Sequence, residues 1–435
     1  VKNAQDSRLR RIGTEAGWVI AGQLLAFLGG FAIIKLLTEE LGPAAYGQLA
    51  LGISLAGVLH MFLYGPIEQT ALRFVSVYRE SGRLSLLFAL LKKAHKYASA
   101  GVVLAAVIAA GTVHLTAGST WSLLVLIAAL FGIAGGLNAT LLSLQTALRQ
   151  RRSAAIFQAG DVWLRLGCAL AGLALVEHTA NAALLGFSLA TAMTAAAQLL
   201  WLRVNPAVRP HLHNHAYRQQ SKTATAELLA YGSPYVAFAG FAWLGSYSDR
   251  WLILMFTDQH SVGVYAALLQ IANAPIALFL GVTNQYLVPL IFDRAGAAKT
   301  DEQAASSARL LGIAAAMYVL VLSVIVAIAA AFSEPIVRLL TNEEFAQHAA
   351  LLWILCVGLG LASIGQLLVI KGLSQNRTRE YVLPKLVQVV MLLVAAPLLI
   401  SSMGLTGMAM ALCASGAAYL LAVALTNRRF FQIAP

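Results

Sequence analysis

The stretch Arg203–Glu227, RVNPAVRPHLHNHAYRQQSKTATAE, is the longest run without a membrane-compatible segment, and it lies close to the middle of the chain. It carries Pro206, Pro210, three histidines and four cations (Arg203, Arg209, Arg218, Lys222) between two long apolar blocks. Nothing in it reads as a fold of its own. It is expected to be a water-exposed connector (203–228) between a first lobe (1–202) and a second (229–435). The alternating histidines His211, His213 and His215 are read as solvated loop residues, and no metal site is expected.

The flanking blocks are apolar throughout. The chain is 59% hydrophobic and 11% charged, against roughly 25% charged for a soluble domain. Repeated apolar runs long enough to cross hydrocarbon imply a polytopic all-α membrane protein, and the alternation of a barrel strand is absent. The first run, from about Gly13 to Leu37, is too long for a signal-peptide core and is read as a spanning helix. Twelve spans can be placed, six per half: about 13–37, 46–67, 94–116, 121–147, 154–176 and 182–202, then 229–256, 262–290, 308–331, 348–370, 382–400 and 404–426. Cys168, Cys356 and Cys413 all fall inside apolar runs and read as small core residues.

The net charge of +12 would suggest nucleic acid in a soluble protein. Here the positions of the cations explain it instead. With twelve spans, 26 of the 30 Lys and Arg residues fall on one side. The cation bias sets orientation, so both termini and the connector are expected in the cytoplasm. The exceptions are Lys35, Arg165, Arg250 and Arg338. Lys35 is expected to snorkel at the outer end of the first helix.

An internal repeat supports two halves of like orientation. Shifted by 219 residues, Ile34, Thr38, Glu39, Tyr46 and Leu49 fall on Ile253, Thr257, Asp258, Tyr265 and Leu268. Both sets lie at the outer loop between the first two helices of a half. Six helices per half make the repeats parallel.

Polar residues within spans are costly, roughly 2.5–3.5 kcal/mol for a mid-helix Arg or Asp on insertion scales, so they face protein or a water-filled cavity. Gln158, Asp161 and Arg165 form one stripe at i, i+3 and i+7. Either Asp161 and Arg165 neutralise each other across one turn, or Arg165 serves an anionic ligand. Asp249 and Arg250 are adjacent, about 100° apart on a helix, so they are not expected to pair directly. Their first-half counterparts are Gly30 and Phe31, so this feature is not repeated. Glu68 and Arg73 flank the inner end of the second span. Asn138, Gln145 and Arg149 share one face, as do Gln270, Asn273 and Asn284; such amides suit interhelical hydrogen bonds as well as sugar contacts. No phosphate-binding loop motif, G-x-x-x-x-G-K-[ST], is present, so no ATP hydrolysis and no cofactor are expected.

The stretch Lys35–Gly52, KLLTEELGPAAYGQLALG, followed by Glu68–Ser76, EQTALRFVS, resembles the N-terminal signature of the polysaccharide-transporter branch of the multidrug/oligosaccharidyl-lipid/polysaccharide flippase superfamily. Ser248–Ile271, SDRWLILMFTDQHSVGVYAALLQI, is similar to that family's seventh-helix pattern. The resemblance implies a flippase in the bacterial cytoplasmic membrane. It would move undecaprenyl-pyrophosphate-linked oligosaccharide to the outer leaflet for O-antigen, capsule or exopolysaccharide assembly, beside a polymerase and a chain-length partner. It further implies alternating access powered by an H+ or Na+ gradient. Arg165 and Arg250 would bind pyrophosphate, guanidinium being permanently charged and forked. Asp249, then Asp161, then Glu68 are the candidates for ion coupling, and the amides would meet glycan. Two alternatives stand beside this: a drug/cation antiporter of the same superfamily, and a membrane-embedded glycosyltransferase or polymerase. The second would need larger outer loops than these, the longest being about 332–346.

Overall fold

The computed structural model describes residues 2–205, 208–209, 221–295, 301–374 and 377–432. The chain is helical, and the twelve expected spans all lie on helices. In order these are α1 (Lys2–Leu59), α2 (Gly65–Glu80), α3 (Leu84–Ala117), α4 (Ser119–Ala147), α5 (Arg151–Leu175), α6 (Ala180–Val204), α7 (Ser221–Phe256), α8 (Gln259–Ala295), α9 (Asp301–Ala331), α10 (Ser333–Leu340), α11 (Glu343–Ala346), α12 (Leu351–Ser374) and α13 (Val382–Gln432). Most of the 203–228 connector, including the three histidines, lies outside the described residues; its last residues open α7.

Two helices contain a break between expected spans. Gly42 (φ 66°) interrupts α1 directly before Pro43, and Gly404 (φ 57°) interrupts α13. Positive φ costs glycine nothing, so each chain turns here without a long loop. The second span differs from the expectation. It passes through one π-helical turn, His60–Tyr64, and runs on as α2 to Glu80, well past 67.

The chain divides into two compact units: residues 1–33 with 48–243, and residues 34–47 with 244–435. This division differs from one at the connector, because Ile34–Gly47 packs with the second half and α7 as far as Trp243 packs with the first. The reasons are visible in each unit. Lys35 Nζ donates to the Thr341 carbonyl at 2.7 Å and pairs with Glu39 at 2.7 Å, and Asn342 Nδ2 donates to the Thr38 carbonyl at 3.2 Å. Lys35 is therefore tied to the loop before α11, where snorkelling alone was expected. In the first unit, Tyr231 of α7 meets Phe74 of α2 edge to face at 5.3 Å, Tyr78 donates to Glu227 at 3.3 Å, and Trp243 donates to the Ser54 carbonyl at 3.1 Å.

The interior of each unit is close-packed through small residues, as expected where hydrocarbon offers no hydrophobic drive between helices. Gly172 and Gly186 bring α5 and α6 into backbone contact, and Gly358 and Gly416 do the same for α12 and α13. Large apolar side chains such as Leu115, Leu175 and Met255 point outward instead. A surface of that kind suits lipid, which solvates it at no cost.

Candidate functional site

In α5 the stripe read from the sequence forms a compact charge site. Arg165 Nη2 meets Asp161 Oδ2 at 2.5 Å, the i,i+4 geometry allowing both side chains to lie along the helix. The Arg165 Nε donates to Thr191 Oγ1 of α6 at 2.9 Å, and the guanidinium lies 5.1 Å from the centre of the Phe131 ring of α4. Three helices thus fix the orientation of one cation. Asp161 is 5% exposed, and its Oδ1 has no hydrogen-bond partner among the described residues. A desolvated acceptor of this kind costs roughly 1–3 kcal/mol. Gln158 lies one turn before and is half-buried.

In α7 the expectation that Asp249 and Arg250 do not pair is overturned. Arg250 Nη1 reaches Asp249 Oδ1 at 3.1 Å, and the Arg250 backbone N–H donates to the same oxygen at 2.9 Å. The 100° separation governs the Cα–Cβ directions, but the long arginine side chain folds back. Its Nη1 also donates to the Ser246 carbonyl at 3.1 Å, while the guanidinium lies 5.2 Å from the Tyr247 ring centre. Asp249 and Arg250 are 5% and 8% exposed. The premise that ranked Asp249 first, an acid its neighbour could not satisfy, therefore fails. Around the pair stand Tyr265, whose buried hydroxyl lies beside Asp249 outside hydrogen-bond geometry, and Tyr46, which accepts from Gln270 Nε2 at 3.0 Å. The α5 and α7 pairs belong to different units.

The remaining expected residues separate by burial. Glu68 accepts from Ser143 at 3.0 Å and lies 3.6 Å from His60 of the π-turn, while Arg73 is exposed. Asn138 and Gln145 are joined through Gln198 of α6: Gln145 Nε2 donates to Gln198 Oε1 at 2.9 Å, and Gln198 Nε2 donates to Asn138 Oδ1. Gln145 is 0% and Gln198 1% exposed, so in this conformation the chain of amides ties α4 to α6. Gln270 meets Tyr46, Asn273 is exposed, and the Asn284 side chain lies outside the described residues.

Several participants were missed by sequence reading. Thr191 and Gln198 lie seven residues apart on one face of α6, a helix whose polar residues looked too sparse to mark. His95 of α3 bonds Thr140 Oγ1 at 2.9 Å and stacks on Tyr64 at 5.4 Å. A histidine inside an apolar span is itself a signal, and it stood close to a run of lysines that masked it. Outside the spans, Asp258 caps α8 by accepting from the Ser261 N–H at 2.7 Å, a bond that lowers its carboxyl from the ordinary range.

With this geometry in place, the comparisons with known proteins give the class. Residues 12–294 match the family model described as polysaccharide biosynthesis protein. The chain belongs to that family. Its fold is shared with an inward-facing multidrug resistance MATE family transporter of the MOP superfamily (TM-score 0.71, 13% identity, 95% of each chain covered). It is likewise similar to the lipid II flippase MurJ in an inward closed conformation (TM-score 0.68, 12% identity, 95% of this chain and 87% of that one). A MATE transporter from Vibrio cholerae aligns at TM-score 0.61 and 15% identity, over 96% of this chain and 98% of that one. No curated protein sequence matches the chain. The fold is that of the MOP flippases, and the chain is a multi-pass membrane protein.

Proposed function

We propose that the protein flips a polyprenyl-pyrophosphate-linked oligosaccharide, undecaprenyl-linked in bacteria, from the cytoplasmic to the outer leaflet of the inner membrane. The connector and both termini would face the cytoplasm. The observation that carries this reading is Arg165, in a chain of a polysaccharide biosynthesis family. A permanent cation is held inside a spanning segment by Asp161, Thr191 and Phe131, with its fork aligned by three helices. A pyrophosphate can exchange for Asp161 on that fork without a change in charge type. Arg250 would serve in the same way in the second unit. Polymerase and chain-length proteins would be its partners.

Energy would come from an H+ or Na+ gradient. Asp161 replaces Asp249 as first choice for coupling, because its Oδ1 is buried with no partner among the described residues while Asp249 Oδ1 already accepts two bonds. The same open oxygen favours the second reading, a cation antiporter, whose fold this chain shares.

The test is flipping in proteoliposomes combined with native mass spectrometry of the purified protein. A co-purifying polyprenyl-pyrophosphate glycan is expected. Arg165→Ala should abolish flipping, and Arg165→Lys should restore part of it, since ammonium lacks the fork. Asp161→Asn should retain lipid binding but lose the response to imposed gradients. Wild-type flipping by Arg165→Ala would remove Arg165 from the site, and absence of flipping by the wild type, with Asp161-dependent efflux of a cationic dye, would establish the antiporter instead.

A further inference from the structure

We propose a second lipid site, at the turn between α4 and α5, that binds the phosphate headgroup of an anionic phospholipid. The site lies wholly within the first unit and is a cavity of about 620 Å³ lined by Trp18, Arg149, Gln150, Arg151, Arg152 and Trp201, among others. Three arginines therefore line one space, and no carboxylate lines it with them among the described residues.

The turn that presents them is itself unusual. The Arg149 N–H donates to the Thr146 carbonyl at 3.0 Å and the Gln150 N–H to the Gln145 carbonyl at 2.8 Å, which together close a Schellman motif on α4. Glycine is the usual residue at its left-handed position, yet Arg149 occupies it at φ 59° and is the only non-glycine with positive φ among the described residues. Holding an L-residue there costs about 1–2 kcal/mol. Strain retained at a cationic residue that lines a cavity points to use. Immediately afterwards α5 begins with Arg151, its N-cap Gln150 making no side-chain capping bond. Uncapped first-turn N–H groups add partial positive charge at the same place.

The apolar half of a lipid is provided for as well. Gly22 of α1 packs against Ala155 of α5, and Gly29 against Val162 and Trp163, so the two helices are in close contact above the cavity. One turn before Gly22 the Arg152 guanidinium lies 4.8 Å from the centre of the Trp18 ring, and Trp18 and Ile156 both line the cavity. From there Leu24, Leu25 and Leu28 run along α1 exposed, a face that an acyl chain can cover. A free anion would use only the arginines; the aromatic rim and apolar stripe are what select a lipid.

Tryptophan quenching in nanodiscs tests this on the full chain. Dibrominated phosphatidylglycerol should quench the wild-type emission more strongly than dibrominated phosphatidylcholine, and the excess should fall in Trp18→Phe and vanish when Trp201→Phe is added. Arg149→Gly relieves the backbone strain, so it should fold with unchanged or higher thermal stability and still lose part of the excess. The triple change Arg149→Gly, Arg151→Gln and Arg152→Gln should weaken phosphatidylglycerol binding on the order of tenfold or more, each cation near an anionic surface contributing a comparable share. Equal quenching by the two lipids in the wild type, or an undiminished preference in the triple variant, would overturn the proposal. So would loss of the phosphatidylglycerol excess on adding inorganic pyrophosphate at a concentration far below that of the lipid, since the site would then be for a soluble anion.

Discussion

The segments Ile34–Leu49 and Ile253–Leu268 start from one sequence pattern and reach different local solutions. Thr38 and Thr257 each donate to the carbonyl four residues earlier, both at 2.7 Å, and Tyr46 and Tyr265 are both buried. Thereafter they diverge. Glu39 pairs with Lys35, whereas its counterpart Asp258 caps α8. The first loop turns at Gly42 within one continuous helix, and the second separates α7 from α8. Tyr46 has its hydroxyl bonded to Gln270; the Tyr265 hydroxyl is buried without a bond, beside the Asp249–Arg250 pair. The repeat thus conserves shape, while polar satisfaction is settled separately in each copy. The charge pair has been added behind the second loop, where the first copy has Gly30 and Phe31.

The strongest way to break this comparison is at the charge pair. Asp249→Ala leaves the Arg250 guanidinium buried with one backbone carbonyl and no carboxylate. A loss of about 3–5 kcal/mol is expected, read as a large fall in thermal stability in detergent. A loss below about 1 kcal/mol would show that the pair is solvated in the membrane protein, and that the second loop carries no special feature.

The next effect falls where the two loops touch. A Cβ on Gly263 would overlap the Pro43 carbonyl, and one on Gly47 would overlap the Gln259 carbonyl. Gly263→Ala and Gly47→Ala should each destabilise by about 1–3 kcal/mol, since backbone must move to admit the methyl. Thermal unfolding that leaves either variant unchanged would remove the close approach of the loops.

The smallest effect sharpens the contrast between the tyrosines. Tyr46→Phe strands the Gln270 amide and should cost about 1 kcal/mol. Tyr265→Phe deletes a hydroxyl that has no bond, so its unfolding midpoint should match or exceed that of the wild type. The reverse order would mean that Tyr265 bonds Asp249 and that the two copies are satisfied alike.

Much of this was legible in the chain. Apolar runs, bounded by the thickness of hydrocarbon, gave twelve expected spans, and all of them lie on helices. The spacing of Asp161 and Arg165 specified an intrahelical contact, because i and i+4 are neighbours on any α-helix. Periodicity could not foresee the π-turn at His60–Tyr64, where one extra residue is absorbed without a change in composition.

What the sequence determined by itself is therefore the part governed by local backbone geometry and by the solvent: the apolar spans, the cation asymmetry and the α5 charge stripe. Tertiary structure alone decided which groups those elements meet. Arg250 turned back to Asp249 because its side chain is long enough to override the direction of its Cβ. Gln198 joined Asn138 to Gln145 across some 60 residues of chain, and Lys35 found the Thr341 carbonyl 306 residues away. Ile34–Gly47 and the start of α7 each joined the unit opposite to their place in the chain. Pairings of that separation depend on how whole helices pack, and no spacing within a single helix encodes them.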